Sequence, residues 1–302
     1  MKTLTVIVLN WNGLADTRAC LASLARCETP SGWNVRILVV DNGSTDGSAA
    51  ALRAEFPANE LLALPENRRF AGGNNEGLRV ALTRGDDAVM LLNNDTEADP
   101  RLFVELVGAL EHDASAGAAA PLILFGAPST RIWYAGGRLI PALAHASHRG
   151  LREQERGQWR QTEPTGYLTG CCLLAWSSAW KRVGLLDERY FIYAEDADWC
   201  LRARQAGLRL LFVPAARLRH KVSASTGAAS PFKIYHRLRA NASMFARHAR
   251  SIARLTWAPA FLAQQGALFA WLLVRGQAPA ALAVPRALWD AVRGVPAGEA
   301  RL

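Results

Sequence analysis

The 302-residue chain is half hydrophobic and one-fifth charged, which suits a folded chain with a large core and excludes a disordered or low-complexity one. Charge is uneven: residues 1–200 carry 19 basic and 24 acidic side chains, net −5, whereas residues 201–302 carry 16 and 2, net +14. Five cysteines, odd in number and without a Cys-x-x-Cys pair, exclude a disulfide scaffold and speak against a cysteine zinc site.

Residues 4–9 form a β-branched apolar run stopped by Asn10-Trp11-Asn12-Gly13, the pattern of a buried strand and turn. That is not the charged-then-apolar pattern of a secretory leader, so a reduced, cytoplasmic compartment is expected. An amphipathic helix is predicted over 14–26 and a second buried strand over 35–40, ending at Asp41-Asn42-Gly43-Ser44. Thr45 or Asp46 then caps a helix running to about Glu55. A third strand is predicted over 61–64, a helix over 74–83 and a fourth strand over 88–92. Asp99-Pro100 opens another helix, and 118–124 offers a fifth strand.

From 126 to 164 the pattern loosens into loops and short strands. Order returns with a strand over 166–176, helices over 177–183 and 196–206, and a strand over 208–213; from Phe232 onward the chain reads as helical. Strands alternating with helices predict an α/β fold with a mostly parallel sheet flanked by helices.

In such sheets ligands bind beyond the carboxyl ends of the strands. Three polar clusters fall there: Asn10-Trp11-Asn12, Asp41-Asn42-Gly43-Ser44 and Asn93-Asn94-Asp95. A carboxylate such as Asp95, beside two amides, suits a hard cation, Mg²⁺ or Mn²⁺, that takes one or two protein carboxylates with phosphate and water. Asn and Asp also favour plain turns and helix caps, and Asp41 has the same two readings: an Asx turn or an acceptor for a base or ribose. Within Asn67-Arg68-Arg69-Phe70-Ala71-Gly72-Gly73-Asn74-Asn75, two glycines before a helix allow close backbone approach, and the helix start favours anions. Glu195, Asp196 and Asp198 repel one another, so one is expected to have a raised pKa suited to a general base. His220, flanked by Arg219 and Lys221, is a candidate to complete a metal shell or touch phosphate.

These segments, in this order, closely resemble the family-2 glycosyltransferases of the GT-A fold, particularly their bacterial rhamnosyltransferase-like branch. The matching stretches are VIVLNWNG (6–13), VVDNGSTDGS (39–48), ENRRFAGGNNEGL (66–78), LLNNDTE (91–97), residues 169–207 and RLRHKVSAS (217–225). The resemblance covers about residues 3–250 and implies a nucleotide-sugar site comprising Asn10, Asn12, Asp41, Asn67, Gly72, Asn74, Asn94, Arg202 and Lys221. It implies that Asp95 binds the metal, with His220 as helper, since the usual paired aspartates read Asn-Asn-Asp here. It further implies that Asp196 is the catalytic base of an inverting, metal-dependent transfer from a nucleotide-diphosphate sugar to a glycan or lipid-linked acceptor. dTDP-rhamnose is the first-choice donor and a UDP-sugar the second.

The expected organisation is a catalytic domain over 1–230, with a nucleotide-binding half to about 125 and an acceptor half from 126, followed by a helical membrane-facing extension over 231–302. Residues 255–274 carry no charge and are flanked by Arg254 and Arg275. Length permits a membrane span, yet Thr256, Pro259, Gln264, Gln265 and Gly266 weaken it. With the basic C-terminal third, an interfacial helix on an anionic membrane surface fits better, placing the protein peripherally on the inner face of the cytoplasmic membrane. No nucleic acid partner is expected. The rival functions are a nucleotidyltransferase, which would want a basic glycine-rich loop after the first strand, and a non-catalytic membrane adaptor.

Overall fold

The computed structural model describes residues 1–222 and 230–294. The tail of the RLRHKVSAS stretch (223–225) and the end of the helical extension (295–302) lie outside the described residues.

The chain begins β1 (Lys2–Asn10), α1 (Leu14–Leu24), β2 (Trp33–Asp41), α2 (Ser48–Glu55), β3 (Glu60–Ala63), α3 (Arg69–Arg84) and β4 (Ala88–Asn93). It continues through β5 (Thr96–Ala98), α4 (Leu102–His112), β6 (Ala116–Phe125), β7 (Ile132–Tyr134), β8 (Gly137–Ile140), a 3-10 turn at Pro141–Leu143, β9 (His145–His148) and β10 (Glu163–Pro164). Then come β11 (Cys172–Trp176), α5 (Ser177–Val183), α6 (Glu195–Gln205), β12 (Arg209–His220), α7 (Pro231–His248), α8 (Ala253–Val274) and α9 (Ala278–Val292).

The main sheet has the order β10-β12-β6-β11-β4-β1-β2-β3, with β5 on β12 and β7 on β6. β3, β2, β1, β4, β6 and β12 run one way, and β11, between β4 and β6, runs against them. Helices cover both faces, so the inner strands are apolar on both sides: Val6, Ile7, Val8, Val89, Met90 and Leu91 are fully buried. The predicted α/β class with a mostly parallel sheet is what the chain adopts.

Several boundaries differ from expectation, each for a physical reason. α3 starts at Arg69, not 74, so Gly72 and Gly73 lie inside its first turns. A side chain on Gly73 would meet Leu9 at 2.6 Å, and one on Gly77 would meet Ile7 at 2.9 Å. Glycine therefore lowers helix propensity here to bring α3 close onto β1. The predicted strand over 166–176 is regular only from Cys172, and β12 extends past the predicted 213 to His220 across an irregularity between Val213 and Arg217. The three-residue β5 gives too short a pattern to read; its pairing with β12 sets His220 opposite Thr96.

Candidate active site

The parallel register puts Asn10 beside Asp41 and Leu9 beside Asn93, so three strands end together on one edge. Asn10 and Asp41 are almost fully buried. Asn10 donates through Nδ2 to Asp41 Oδ1 at 2.7 Å and to Ser44 Oγ at 3.1 Å. Its Oδ1 accepts from Thr17 at 2.8 Å, and Asn94 donates to Thr17 Oγ1 at 2.9 Å. Asn12 Oδ1 accepts from the Thr45 amide. This is a closed polar network in a place where an unpaired amide would be costly. Asn94 thus donates into this network. Thr17, in the first turn of α1, ties the network together, and nothing in the sequence marked it.

The 67–75 segment is knitted to the same edge. Asn42 bridges Asn67 Oδ1, the Arg69 carbonyl and the Arg68 amide. Asn67 also accepts from the Arg69 amide, and Asn74 donates back to the Phe70 carbonyl. A side chain on Gly72 would meet Arg68 Cβ at 2.9 Å. The predicted nucleotide-side residues therefore converge, though mainly by bonding one another.

Asp95 sits in the turn between β4 and β5, and β12 brings the distant His220 to it: His220 Nε2 lies 3.1 Å from Asp95 Oδ1. The edge of Trp133 packs against the imidazole, ring centroids 4.5 Å apart. His220 is buried, and its Nδ1 has no hydrogen-bond partner among the described residues. Lys221 follows directly; its amide donates to the Asp95 carbonyl and its ammonium pairs with Asp16 at 2.8 Å. Burial pushes the nearby Cys20 thiol up to about 12, so it stays protonated. Among the described residues no three His, Cys, Asp or Glu side chains gather as a metal cluster.

Asp196 opens α6. Tyr193 and Ala194 both have positive φ (70° and 67°), a costly pair for non-glycine residues, and they turn the chain so that the helix starts on the two carboxylates. Asp196 Oδ2 accepts from the Gly170 amide at 2.8 Å and Oδ1 from the Ala197 amide at 2.7 Å. Gly170 leads into β11 and packs by the Phe70 ring of the donor-side segment, and the next carbonyl, Cys171, accepts from the Asn93 amide. Through this bridge Asp196 is tied to the strand end that precedes Asp95.

The three carboxylates have separate environments. Burial, then the Asp196 charge, pushes Glu195 up to about 8. Burial also raises Asp196, while the two backbone amides oppose it and favour the anion. Asp198 moves down despite burial, because His248 at 2.7 Å and Arg202 at 2.9 Å hold its charge. Asp198 is thus committed to its two partners, burial disfavours the charge on Glu195, and Asp196 accepts from the amides of Gly170 and Ala197.

Arg202, expected at the donor diphosphate, is engaged elsewhere. Its donors reach Asp198 and the carbonyls of Val183 and Leu185, each at 2.8–2.9 Å. An i,i+4 pair with two backbone carbonyls fixes α6 to the loop before it, which is a positioning role.

Glu195 has no hydrogen-bond partner for Oε2 among the described residues. A carboxyl raised in the fold lowers stability as pH rises from its unfolded pKa of about 4.3 to its folded value. Glu195→Gln is therefore expected to be neutral near pH 4 and increasingly stabilising up to about pH 8, by an amount on the order of a few kcal/mol. Urea unfolding at several pH values checks this; a pH-independent difference would contradict the buried, protonated carboxyl.

The chain is similar to known proteins over most of its length. N-acetylglucosaminyl-diphospho-decaprenol L-rhamnosyltransferase of Mycobacterium tuberculosis is 31% identical over 245 residues, covering 74% of this chain and 78% of that one. The dTDP-rhamnosyl transferase RfbF of Shigella flexneri is 23% identical over 190 residues, covering 63% and 60%. Among solved structures, a Pyrobaculum calidifontis mannosyltransferase with GDP-Man and Mn²⁺ superposes with TM-score 0.56 at 16% identity, covering 97% of this chain and 87% of that one. GalNAc-T7 with UDP, GalNAc and Mn²⁺ superposes with TM-score 0.61 at 16% identity, covering 81% and 47%. At that identity the two structures establish the fold, which is GT-A. The family described as "Glycosyl transferase family 2" matches residues 5–183. With more than half its length matched by the family and a relative 31% identical over 74% of it, the chain belongs to glycosyl transferase family 2.

Proposed function

We propose that this enzyme transfers rhamnose from dTDP-rhamnose, with inversion, to a lipid-linked acceptor in the synthesis of a cell-envelope polysaccharide. The observation that carries the chemistry is one sheet edge holding both the Asp95–His220 pair and an amide-supported Asp196. The donor and acceptor rest on the rhamnosyltransferase relatives, one of which is named for a diphospho-decaprenol acceptor.

Asp95 and His220 are the residues that would hold a divalent cation: a carboxylate oxygen and an imidazole nitrogen, both ligands such ions take, stand 3.1 Å apart at the strand end. Mixed oxygen and nitrogen donors suit Mn²⁺ at least as well as Mg²⁺. When bound, such an ion supplies Lewis-acid stabilisation of the departing diphosphate.

The remaining steps belong to this chain's residues. Asn10, Asp41, Asn42 and the 67–75 segment hold the nucleotide end of the donor. Lys221, beside Asp95 and exposed, would add positive charge on the diphosphate side by giving up its pair with Asp16. Asp196 takes the proton from the acceptor hydroxyl as its oxygen attacks the anomeric carbon opposite the diphosphate. A single displacement inverts that carbon, through an oxocarbenium-like state resembling that of glycoside hydrolysis. Arg202 and Asp198 keep α6, and thus Asp196, in place.

The division into a catalytic part to residue 230 and a helical extension is part of the same proposal. α8 is long and apolar enough to cross a membrane, and 11% of its most apolar window is buried. One face is nonetheless engaged by protein, since Phe261 and Leu272 are buried and Thr256 and Gln264 bond carbonyls of the 3-10 turn. The other face exposes Leu255, Leu262, Trp271, Leu273 and Val274, and α9 adds Leu282, Trp289 and Val292. Arg275 stacks on Trp271 and Arg293 on Trp289. Apolar residues with basic and tryptophan borders support seating on an anionic leaflet from the cytoplasmic side.

The test is donor turnover with Mg²⁺ or Mn²⁺, offering dTDP-rhamnose and UDP-sugars with a sugar-diphosphate-polyprenol acceptor. Consumption of dTDP-rhamnose is expected. Consumption of a UDP-sugar alone would replace the donor, and pyrophosphate release from a sugar phosphate and a nucleotide would replace the reaction.

A further inference from the structure

A cavity of about 310 Å³ lies between the β8–β9 hairpin, α7 and α8, in a part of the molecule with no role in donor binding. Apolar side chains form part of its lining: Ile234, Leu238 and Phe261 are buried there, and Leu268 adds to the wall. The larger, polar part comes from Arg237 and Asn241 on α7, one turn apart, with His145, Gln264 and Gln265. Arg237 is exposed, and among the described residues no carboxylate or carbonyl pairs with its guanidinium. A cation and amides beside a smaller apolar wall suit an anionic group attached to a hydrocarbon chain.

Two connections relate the cavity to the chemistry. Next to Arg237, His236 stacks on Phe191, ring centroids 4.5 Å apart, in the segment leading to Asp196. The Arg237 charge also reaches Tyr193, whose phenol burial raises and the guanidinium pulls back. On its other side the cavity is walled by α8, whose outward face carries the exposed Leu255 and Leu262.

We propose that this cavity binds the diphosphate and first isoprene units of the lipid-linked acceptor, with Arg237 as the diphosphate ligand. This rests on the acceptor reading above and extends it by assigning the site. An acceptor held there reaches toward Asp196 with its sugar and leaves along α8 with its lipid. Arg237 meets the diphosphate with the paired donors that a guanidinium presents to phosphate oxygens.

Farnesyl diphosphate, below its micelle concentration, is the probe, titrated calorimetrically into the full chain with Mn²⁺ and saturating dTDP so that the donor site is filled. The wild type is expected to bind it at least tenfold more tightly than farnesol. Arg237→Ala should lose that tenfold while melting at the wild-type temperature, and Arg237→Lys should retain part of it. Equal affinity for farnesol and farnesyl diphosphate overturns the proposal, as does wild-type affinity for the probe in Arg237→Ala. If the probe binds as expected but no sugar reaches any polyprenyl diphosphate acceptor, the acceptor reading fails and the isoprenyl diphosphate site stands.

Discussion

Asp196→Asn is expected to lower kcat by about 10²- to 10⁴-fold, the range for removing a general base, with little change in donor affinity. The substitution keeps the shape and one of the two backbone hydrogen bonds but turns an NH2 donor toward the other backbone N–H, so thermal melting of the variant is measured beside its kinetics. What it removes is a carboxylate supported by two backbone amides, whereas burial disfavours the charge on Glu195 and Asp198 is bound by His248 and Arg202. The pH profile provides a second sign. Burial raises Asp196 above the ordinary carboxylate range, and the base works only when ionised. Activity should therefore fall as pH drops through that raised value, with an acid limb above the usual carboxylate pKa of about 4. Steady-state kinetics of both proteins across pH checks the rate and the limb together. Wild-type-like turnover in the variant removes Asp196 as the base.

Asp95→Ala is expected to be comparably severe by a different route. Loss of this carboxylate leaves His220 as the sole remaining member of the pair. Transition-state stabilisation of a leaving group by one fixed electrostatic contact is worth about 10²- to 10³-fold in rate, and cation-dependent donor binding should disappear with it. His220→Ala should be milder, because the oxygen ligand that a hard cation prefers is kept. Mn²⁺ titrations of activity and of nucleoside diphosphate binding separate the two variants. A cation response in Asp95→Ala matching that of the wild type would place the metal elsewhere.

Much of the fold was legible because buried parallel strands are apolar on both faces and read as short continuous runs; residues 4–9, 35–40 and 88–92 each became a strand of the central sheet. The strand-end polar clusters were legible for the same reason, since each marks where an apolar run stops. What local pattern does not carry is the partner each residue finds. Asn94 reads as a member of an acidic cation motif, yet it bonds Thr17, seventy-seven positions away in sequence. Arg202 reads as a cation available to a diphosphate, but α6 packs it against Asp198 and two carbonyls. Gly72 and Gly73 read as a loop before a helix, because glycine disfavours helices; the close approach of α3 to β1 that requires them is a tertiary fact. His220 could be named but not placed, since its approach to Asp95 depends on β5, too short to show any periodicity.

The account's central claim is a one-step displacement at the anomeric carbon, with Asp196 taking the acceptor proton. Its most direct test is the anomeric configuration of the product, read from the one-bond C1–H1 NMR coupling of the transferred sugar after transfer from a donor of known configuration. The predicted product carries the anomer opposite to that of the donor. A retained anomer would contradict a single displacement and with it the role assigned to Asp196.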